Sequence, residues 1–530
     1  MPPVENLEFL ELGAPPVGPA TELESIWATS LSQGQSRSST NTFTHIHLLD
    51  NETGSIDLHS PDIPLLLRNF ESVVMPRMAS VPVTGKFAWG PMHLELALQT
   101  LAEITFLKKS VRNQAKLANL LALISISSYH LCLMGTESHH APDHWLKLSH
   151  QSIQDANTHL RQCLGPCIRG YKSAKYKEQL IAVQALMARA WMVSDQAESR
   201  RFQVEAEKLV RLRGLAKRDI SRRIRLLHHV YAWSRIVIES TYVLHDYRKF
   251  QHAMRTSVVD ASTTLPQPDI GHMPEDTGLD DFLRVHCHHE VADSSLRGHK
   301  DTELSNQDIH LEDPRYGIED QFHVIYGIPE QWLSLLSRTT RLANWMDATE
   351  LPQRLRDDAL MARLSRQAQS LEDAVCEFFN SHKMSTNIDA NTPPNVCMSR
   401  CLTASLLIFF YRRIRNVNPV VLQPHVDEVI EGLEIFDASL ARYEQPGPGS
   451  PWAAFMAGCE AIGELRRKKL RNWVDRAFDA SRFETYRRAR EYMVRVWERI
   501  DQSYRGQREA LPRPSWMQVS REDRTWIILN

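Results

Sequence analysis

The chain has 530 residues, of which 42% are hydrophobic and 24% are charged, a composition typical of globular proteins and unlike that of disordered ones. This length exceeds what one ordinary hydrophobic core supports, so two or more packed units are expected. The net charge of −2 hides an asymmetry. Residues 1–65 hold nine acids and one base, residues 260–320 hold fifteen acids and four bases, and the remainder is basic.

Eight cysteines are spread from Cys132 to Cys459, and the chain does not start with a charged segment followed by an apolar one. This pattern predicts a reducing, intracellular location with free thiols. The longest apolar stretch, Leu117–Leu133, is interrupted by Asn119, three serines and His130. It therefore predicts a buried helix rather than a membrane span.

Residues 1–60 are rich in Pro, Gly, Ser and Thr and show no sustained period, which predicts a disordered acidic tail. Order is expected from Ile63, with a first helix that Pro76 stops. Apolar residues then recur at helical spacing, and we assign residues 61–259 to a first helical half. The predicted helices before the central one are 92–109, 112–134, 145–164, 172–194 and 202–213.

The stretch Arg211–Asp246 predicts a central helix at about 220–247, with apolar residues on two neighbouring stripes. Its first turns are crowded with basic side chains: Lys217, Arg218, Arg222, Arg223 and Arg225. The N-terminal end of a helix already carries positive partial charge and prefers acids. We therefore expect another part of the molecule to compensate this cluster.

Residues 260–320 contain several prolines and glycines and no sustained apolar stripe, so they predict a long acidic loop or linker between two halves. Helical spacing resumes after Pro329, and residues 321–530 are assigned to a second helical half. Its predicted helices are 329–347, 352–381, 395–415, 424–443, Trp452–Arg471 and 482–501. The absence of alternating strand patterns predicts an all-α fold of antiparallel helix pairs.

Several cysteine and histidine side chains could in principle bind metal or take part in catalysis, but ordinary structural roles explain them better. Cys163 with Cys167, and Cys397 with Cys401, lack nearby histidines at ligand spacing, and the run His286–Glu290 lies in the acidic loop, where adjacent side chains diverge. His228 and His229 are expected to have core or boundary roles, and Cys459 to be a small buried thiol. No catalytic residue, cofactor-binding residue or metal ligand is predicted, and the chain is not expected to be an enzyme.

Six segments, in this order along the chain, carry a resemblance to a known family: RLRGLAKRDISRRIRLLHHVYAWSRIVIESTYVLHDY (Arg211–Tyr247), LDDFLR (Leu279–Arg284), DIHLEDPR (Asp308–Arg315), YGIPEQWLSLLSRTTRLANWMD (Tyr326–Asp347), PGSPWAAFMAGCEA (Pro448–Ala461) and the closing SWMQVSREDRTWIILN. Together they resemble the regulatory domain of fungal transcription factors of the arginine-metabolism-regulator type. The resemblance covers roughly 63–530. It implies an all-helical domain that a six-cysteine binuclear zinc cluster normally precedes.

The sequence departs from that family at its N-terminal side, because no cysteine occurs before Cys132 and the tail is acidic. An acidic tail repels phosphates, so direct DNA binding by this chain is not expected. The resemblance then implies a nuclear transcription regulator of arginine, nitrogen or secondary-metabolite genes. Such a regulator would act through protein partners, for example a DNA-binding transcription factor.

Other interpretations stay open at this stage. The missing cluster could reflect a gene model that begins too late. The chain could also be a ligand-sensing or scaffold protein without catalysis, or an enzyme with an unrecognised pocket, and a homo-oligomer is open as well. Lys217, Arg218, Arg222, Arg223 and Arg225 could form a solvated or internally paired face, or could receive an acidic partner segment. Residues 260–320, with Asp308, Glu312 and Asp313, are the nearest candidate for that segment.

Overall fold

The computed structural model describes residues 56–79, 81, 89–135, 140–164, 174–214, 221–245, 325–348, 358–384, 389, 391–442, 447–506 and 515–530. The predicted acidic loop at 260–320 and almost all of the predicted tail at 1–60 lie outside these residues. The division into two halves therefore stays a prediction. The names "first half" and "second half" are kept below for the described residues up to 245 and from 325 onwards.

The described residues form fifteen helices and no strand, which confirms the all-α prediction for this part of the chain. In chain order the helices are α1 (Asp62–Asn69, continued by Phe70–Val74 and Met75–Arg77), α2 (Gly90–Leu94 and Glu95–Thr105), α3 (Gln114–Met134), α4 (Pro142–Leu164), α5 (Tyr176–Met192), α6 (Gln196–Leu209 and Val210–Gly214), α7 (Arg222–Thr241), α8 (Glu330–Ala348), α9 (Asp358–Met384), α10 (Pro394–Arg413), α11 (Gln423–Leu440), α12 (Pro451–Glu460), α13 (Glu464–Ser481), α14 (Glu484–Gly506) and α15 (Trp516–Asp523).

Helix α1 does not stop at Pro76, as the sequence predicted, but continues to Arg77. The segment Phe70–Val74, which ends two residues before the proline, is wound as a π-helix. A proline inside a regular helix removes a hydrogen bond and clashes with the carbonyl four residues earlier. The wider π-turn changes this spacing and lets the helix pass the proline.

Helix α3 forms the core of the first half and packs against α1, α2, α4 and α5. By length and composition alone it could cross a membrane, but two thirds of the qualifying stretch are buried among its neighbours. The serines that interrupt its apolar sequence have a structural role. Ser125 in α3 and Ser149 in α4 are hydrogen-bonded and both accept from the buried guanidinium of Arg189 in α5. Burial lowers the pKa of Arg189 to about 10.

Helix α10 is the corresponding core helix of the second half, and it packs against α8, α9, α11 and α12. It approaches α11 closely at Gly432, where an added Cβ would lie 2.6 Å from the sulfur of Cys401. Both helices carry buried residues along most of their length. The absence of a side chain at Gly432 is therefore a requirement of the packing between the two helices.

The predicted helix Trp452–Arg471 is wrong, because the chain breaks there into α12 and α13. Gly463 lies at the break with φ +89°, a left-handed conformation that residues with a Cβ avoid. The side-chain oxygen of Gln423 accepts the backbone N–H of Ile462 at 2.9 Å, and the Gln423 amide donates to the carbonyl of Glu460. A side chain from α11 thus satisfies backbone groups that the break leaves open.

The break changes the position of the basic run that the sequence assigned to a helix C-terminus. Arg466, Arg467, Lys468, Lys469 and Arg471 instead lie in the first half of α13. Acids of neighbouring helices lie within ion-pair distance of three of them: Arg466 pairs with Asp427 at 2.6 Å, Arg467 with Asp501 at 2.9 Å and Lys469 with Glu434 at 2.8 Å. These cations lie near the N-terminal end of α13, where the helix dipole disfavours positive charge, and acids of neighbouring helices offset this effect.

Helix α7 is the last helix of the first half and lies against the second half. It packs against α5 on one side and against α8 on the other. Of its apolar residues, Leu227, Val230, Tyr231, Trp233, Ile236, Val237 and Ile238 are all buried. The sequence correctly predicted a mostly buried helix, and the structure adds that both halves contribute to the burial.

Candidate functional site

The candidate functional site is a buried set of charged side chains on and around α7. Arg235 of α7 is fully buried and lies between two carboxylates. One is Glu239, one turn further along α7, and the other is Glu207 of α6, whose oxygen lies 3.4 Å from the Arg235 Nε. Arg200 of α6 forms a second ion pair with Glu239. We call Arg200, Glu207, Arg235 and Glu239 the central charge network.

The central charge network pairs two cations with two anions, so the buried charges balance. Burial alone would lower the pKa of Arg235, but the charges of Glu239 and Glu207 outweigh it and raise the pKa above its ordinary value. The guanidinium therefore stays charged. Two aromatic residues support the pairs. The hydroxyl of Tyr231 donates to Glu207, and the guanidinium of Arg200 lies 3.8 Å from the ring centre of Tyr242.

A chain of polar contacts leads from this network into the second half. His245 lies 3.7 Å from Glu239 and 3.4 Å from the side-chain amide of Asn344 in α8. The Asn344 oxygen accepts from Arg413 of α10, and Arg413 pairs with Asp347 of α8. We call His245, Asn344, Arg413 and Asp347 the polar relay. Because each member contacts the next, the polar relay connects Glu239 of α7 to α8 and α10.

The polar relay continues to the C-terminal segment. Arg521 of α15 donates to the Asp347 carboxylate at 2.7 Å. The extended residues after α15 also bind the first half, since Thr241 donates to the carbonyl of Ile527 at 2.7 Å and Gln196 donates to that of Trp526. The end of the chain therefore connects α6, α7 and the second half.

Aromatic residues cover the opposite side of α7. Trp233 stacks on Tyr326 with 4.3 Å between ring centres. The ring of Trp332 in α8 lies beside Trp233, with 5.5 Å between their centres. Trp332 meets the edge of Trp452, whose indole N–H donates to Ser240 of α7 at 2.8 Å. Helix α7 is thus held by an aromatic cluster on one side and by buried charges on the other.

The predicted basic docking residues are only partly described. Lys217 and Arg218 lie outside the described residues, and of Arg222 the structure describes the backbone alone. Arg223 is exposed and lies 3.9 Å from the exposed Glu95, whereas Arg225 is buried. The structure therefore places these two arginines in different environments.

The first turn of α7 contains no acid, and Ser221 caps it by accepting the N–H of Ile224. The acidic segment 260–320 lies outside the described residues, so its docking on the basic start of α7 stays a prediction.

The central charge network was not predicted from the sequence. Arg235 and Glu239 are four residues apart in an apolar stretch, a spacing that places both on one face of the helix. That spacing was a usable signal, because charges flanked by apolar residues on a buried helix need partners. Arg200 and Glu207 could not be assigned, since nothing local shows which face of α6 meets α7.

The reactive side chains that the sequence singled out are mostly structural. His228 is buried and lies 2.6 Å from the hydroxyl of Tyr176, in agreement with its predicted core role. Burial raises the pKa of the thiols of Cys401 and Cys459 well above the usual value, and that of Cys163 to about 12, so these cysteines stay protonated. Cys167 and the run 286–290 lie outside the described residues.

An open groove between α13 and α14 has a volume of about 570 Å³. It is lined by Arg471, Arg490, Glu491, Val494, Arg495 and Glu498. Sites for small molecules are typically concave and mostly apolar, with few polar groups. This groove is wide and charged, so its character is that of a polar surface rather than of a substrate pocket.

Comparison with known proteins places this helical architecture in a family. A family model for the fungal specific transcription factor domain matches residues 65–530. The match covers all but the first residues of the described structure, including α7, the central charge network and the polar relay. The chain therefore belongs to the fungal specific transcription factor domain family, as its resemblance predicted.

Most of this chain is similar to part of a curated relative. Arginine metabolism regulation protein II of Saccharomyces cerevisiae (strain ATCC 204508 / S288c) is 21% identical over 499 residues, which cover 86% of this chain and 54% of the relative. The chain thus spans about half the length of the curated relative it matches. No solved structure matches the chain.

Proposed function

We propose that this chain is a transcription regulator that works in the nucleus through its helical regulatory domain. The observation that carries the proposal is the match to the fungal specific transcription factor domain over residues 65–530. The name of the yeast relative concerns arginine metabolism, so genes of arginine or nitrogen metabolism are the first candidate targets. Secondary-metabolite genes are the next candidates.

DNA contact is proposed to come from a protein partner. A binuclear zinc cluster requires six closely spaced cysteines, and residues 1–530 contain no such set. The basic side chains Lys217, Arg218, Arg222, Arg223 and Arg225 are the proposed docking point for an acidic segment, either residues 260–320 or part of the partner. Charged surfaces of opposite sign favour such association and make it sensitive to salt.

The buried contacts between the halves suggest how such a domain transmits a signal. The central charge network and the polar relay join α6 and α7 to α8, α10 and α15. Buried polar groups tolerate few alternative arrangements, because an unpaired buried charge is costly. A partner that shifts α7 therefore has to shift its charged neighbours with it.

The proposal is tested by comparing transcripts in cells with and without the gene after a shift from ammonium to arginine as the nitrogen source. Loss of the chain is expected to change the transcripts of arginine-metabolism genes severalfold, and the wild-type gene is expected to restore them. A variant carrying Arg235→Met should restore them poorly. Unchanged transcripts under all nitrogen sources would contradict the proposal.

A further inference from the structure

Three potential metal ligands from distant parts of the chain meet at the surface of the first half. Asp62 is the first residue of α1, His140 lies two residues before the start of α4, and His144 lies in the first turn of α4. The Nε2 atoms of His140 and His144 lie 3.2 Å and 3.1 Å from the two carboxylate oxygens of Asp62. One potential ligand atom from each residue lies within 4.8 Å of both others.

We propose that Asp62, His140 and His144 form a binding site for a divalent transition-metal ion, with zinc as the best fit. Zinc binds imidazole nitrogens and carboxylate oxygens at about 2.0–2.2 Å in tetrahedral geometry, so neighbouring ligand atoms in a zinc site are roughly 3.3 Å apart. Each imidazole is close to this distance from one carboxylate oxygen, His140 from Oδ1 and His144 from Oδ2 of Asp62. Side-chain rotations that bring both nitrogens and one of these oxygens around a common point would admit an ion between the three groups.

Neighbouring aromatic contacts hold both imidazoles in place. The rings of His140 and His144 are stacked with 4.2 Å between their centres. Both also meet the buried ring of Trp145 edge-on, at 5.4 Å and 4.9 Å. Trp145 is 1% exposed, so it provides a rigid support. These contacts restrict both rings to few orientations, which reduces the entropy that metal binding costs; the stacked pair opens when both nitrogens turn toward one ion.

The donor set selects the class of metal. Two imidazoles and one carboxylate suit zinc, nickel or copper, whereas calcium and magnesium prefer oxygen ligands alone. The histidine side chains are 42% exposed and that of Asp62 is 17% exposed, so the site is open to solvent and a water molecule can complete the tetrahedron. Zinc needs the imidazoles in their neutral form, so its affinity should fall as pH falls.

A metal ion at this position would connect α1 to α4. Asp62 precedes His140 by 78 residues, and the ion would close the long loop between them. Binding to the folded state alone stabilises that state in proportion to the logarithm of metal concentration. The spacing His140-x3-His144 is a sequence signal for such a site, but the position of Asp62 is known only from the fold.

The alternative is a pair of ordinary hydrogen bonds in which two neutral imidazoles donate to one carboxylate. Zinc titration of the full chain by calorimetry distinguishes the two, using metal-free protein. The wild type is expected to bind one zinc ion more tightly than any further ions, and His144→Ala and Asp62→Asn are each expected to weaken that site at least tenfold. His59→Ala, which removes an exposed histidine outside the cluster, should leave it unchanged.

The matched control is needed because the chain has 23 histidines, and zinc binds weakly to many surface histidines. Thermal unfolding gives an independent measurement. Zinc should raise the Tm of the wild type and of His59→Ala, and should raise that of His144→Ala much less. Both target histidines are partly exposed, so the substitutions should leave the fold intact by circular dichroism. No tight site in the wild type, or equal binding in wild type and His144→Ala, would overturn the proposal.

Discussion

Arg235 and Glu239 lie in the later turns of an apolar helix, where they pair with each other and with Glu207 and Arg200 of α6. Removing one member of a buried ion pair leaves the other charge uncompensated, which typically costs about 3–5 kcal/mol. Replacing both with well-packed neutral side chains costs much less. The buried charges therefore make the packing of α6 on α7 specific more than they make it stable.

Arg235→Met is expected to lower the free energy of unfolding by about 3–5 kcal/mol, because Glu207 and Glu239 would both lose the guanidinium that lies between them. The double variant Arg235→Met/Glu239→Gln should lose less than the sum of the two single variants. Urea denaturation followed by circular dichroism measures this difference. The control is Arg466→Met, which breaks a partly exposed pair with Asp427 and should cost less than about 1 kcal/mol. Additive effects in the double variant would contradict the buried pairing.

His93 provides a test of pH dependence. It is fully buried, stacks on Trp89 and lies 3.2 Å from the side-chain oxygen of Asn119. Burial lowers its pKa to about 3, and the bond to Asn119 opposes that shift only in part. In the unfolded chain a histidine has a pKa of about 6.5. Between these values the unfolded state binds the additional proton, so the folded state loses stability as pH falls below about 6.5.

Each pH unit in this window costs about 1.4 kcal/mol per histidine. Between pH 6.5 and pH 5, the wild type is expected to lose about 2 kcal/mol more stability than His93→Gln. Denaturation curves at the two pH values for both proteins measure the difference. His150→Gln is the comparison variant: burial also lowers the pKa of His150, but less than that of His93, so this substitution should reduce the loss of stability by a smaller amount. Equal losses in wild type and His93→Gln would show that His93 is protonated in the folded state.

At the scale of elements, helix existence was predictable and helix ends were less so. The spacing of apolar residues predicted α3, α5, α7, α8 and α10 at nearly their observed positions. The passage through Pro76 and the break at Gly463 were missed, because each depends on a local backbone geometry that apolar spacing does not encode. At the break near Gly463, the side chain that accepts the N–H of Ile462 is Gln423, which belongs to a different helix, α11.

Gly463→Ala is expected to lower the free energy of unfolding by about 1–3 kcal/mol, because the residue has φ +89° and alanine is strained there. Gly90→Ala is the matched control. A Cβ added at Gly90 would meet only the side chain of Met75, at an ordinary 3.9 Å, so this variant should be neutral or slightly stabilising. Chemical denaturation of both variants checks the prediction. Equal stability of the two would argue against strain at the break.

The basic start of α7 gives a second prediction at this scale. Neutralising Asp308, Glu312 and Asp313 together, to asparagine and glutamine, is expected to lower the Tm at low salt and to have less effect at high salt. The physical reason is the loss of acids that, in the proposed docking, offset the basic side chains Lys217, Arg218, Arg222, Arg223 and Arg225. Neutralising Glu5, Glu8 and Glu11 in the tail changes the net charge equally and should leave the Tm unchanged. No shift at low salt in the first variant would exclude this pairing.

At the scale of the whole molecule, the fold class and the family followed from the sequence, and the connection between the halves did not. Helical periodicity was sufficient to predict the fold class. Six segments that resemble the family, in the same order along the chain, were sufficient to predict the family. The contacts of Trp452 with Ser240, and of Ile527 with Thr241, join residues 212 and 286 positions apart. Such pairs depend on tertiary packing and leave no periodic signal in the chain. For the same reason, the sequence did not predict that Asp62 lies next to His140 and His144.

The connection between the halves bears on function, because a regulatory domain has to transmit binding at one surface to another. Helix α7 contacts both halves, its N-terminal turns carry Arg223 and Arg225, and its later turns carry the central charge network. Docking at the start of the helix, as proposed above, would be connected to α8 and α10 through the contacts of the central charge network and the polar relay. Differential contacts of this kind are what allow one site to influence another.

Regulation of transcription through a DNA-binding partner is tested most directly by chromatin immunoprecipitation of the tagged full chain after a shift to arginine. We expect enrichment at the promoters of the genes whose transcripts change when the chain is absent. We also expect purified chain alone to bind those promoter fragments no better than unrelated DNA. Absence of enrichment at any promoter would contradict a role in transcription, and tight, sequence-specific binding by the purified chain would contradict the need for a partner.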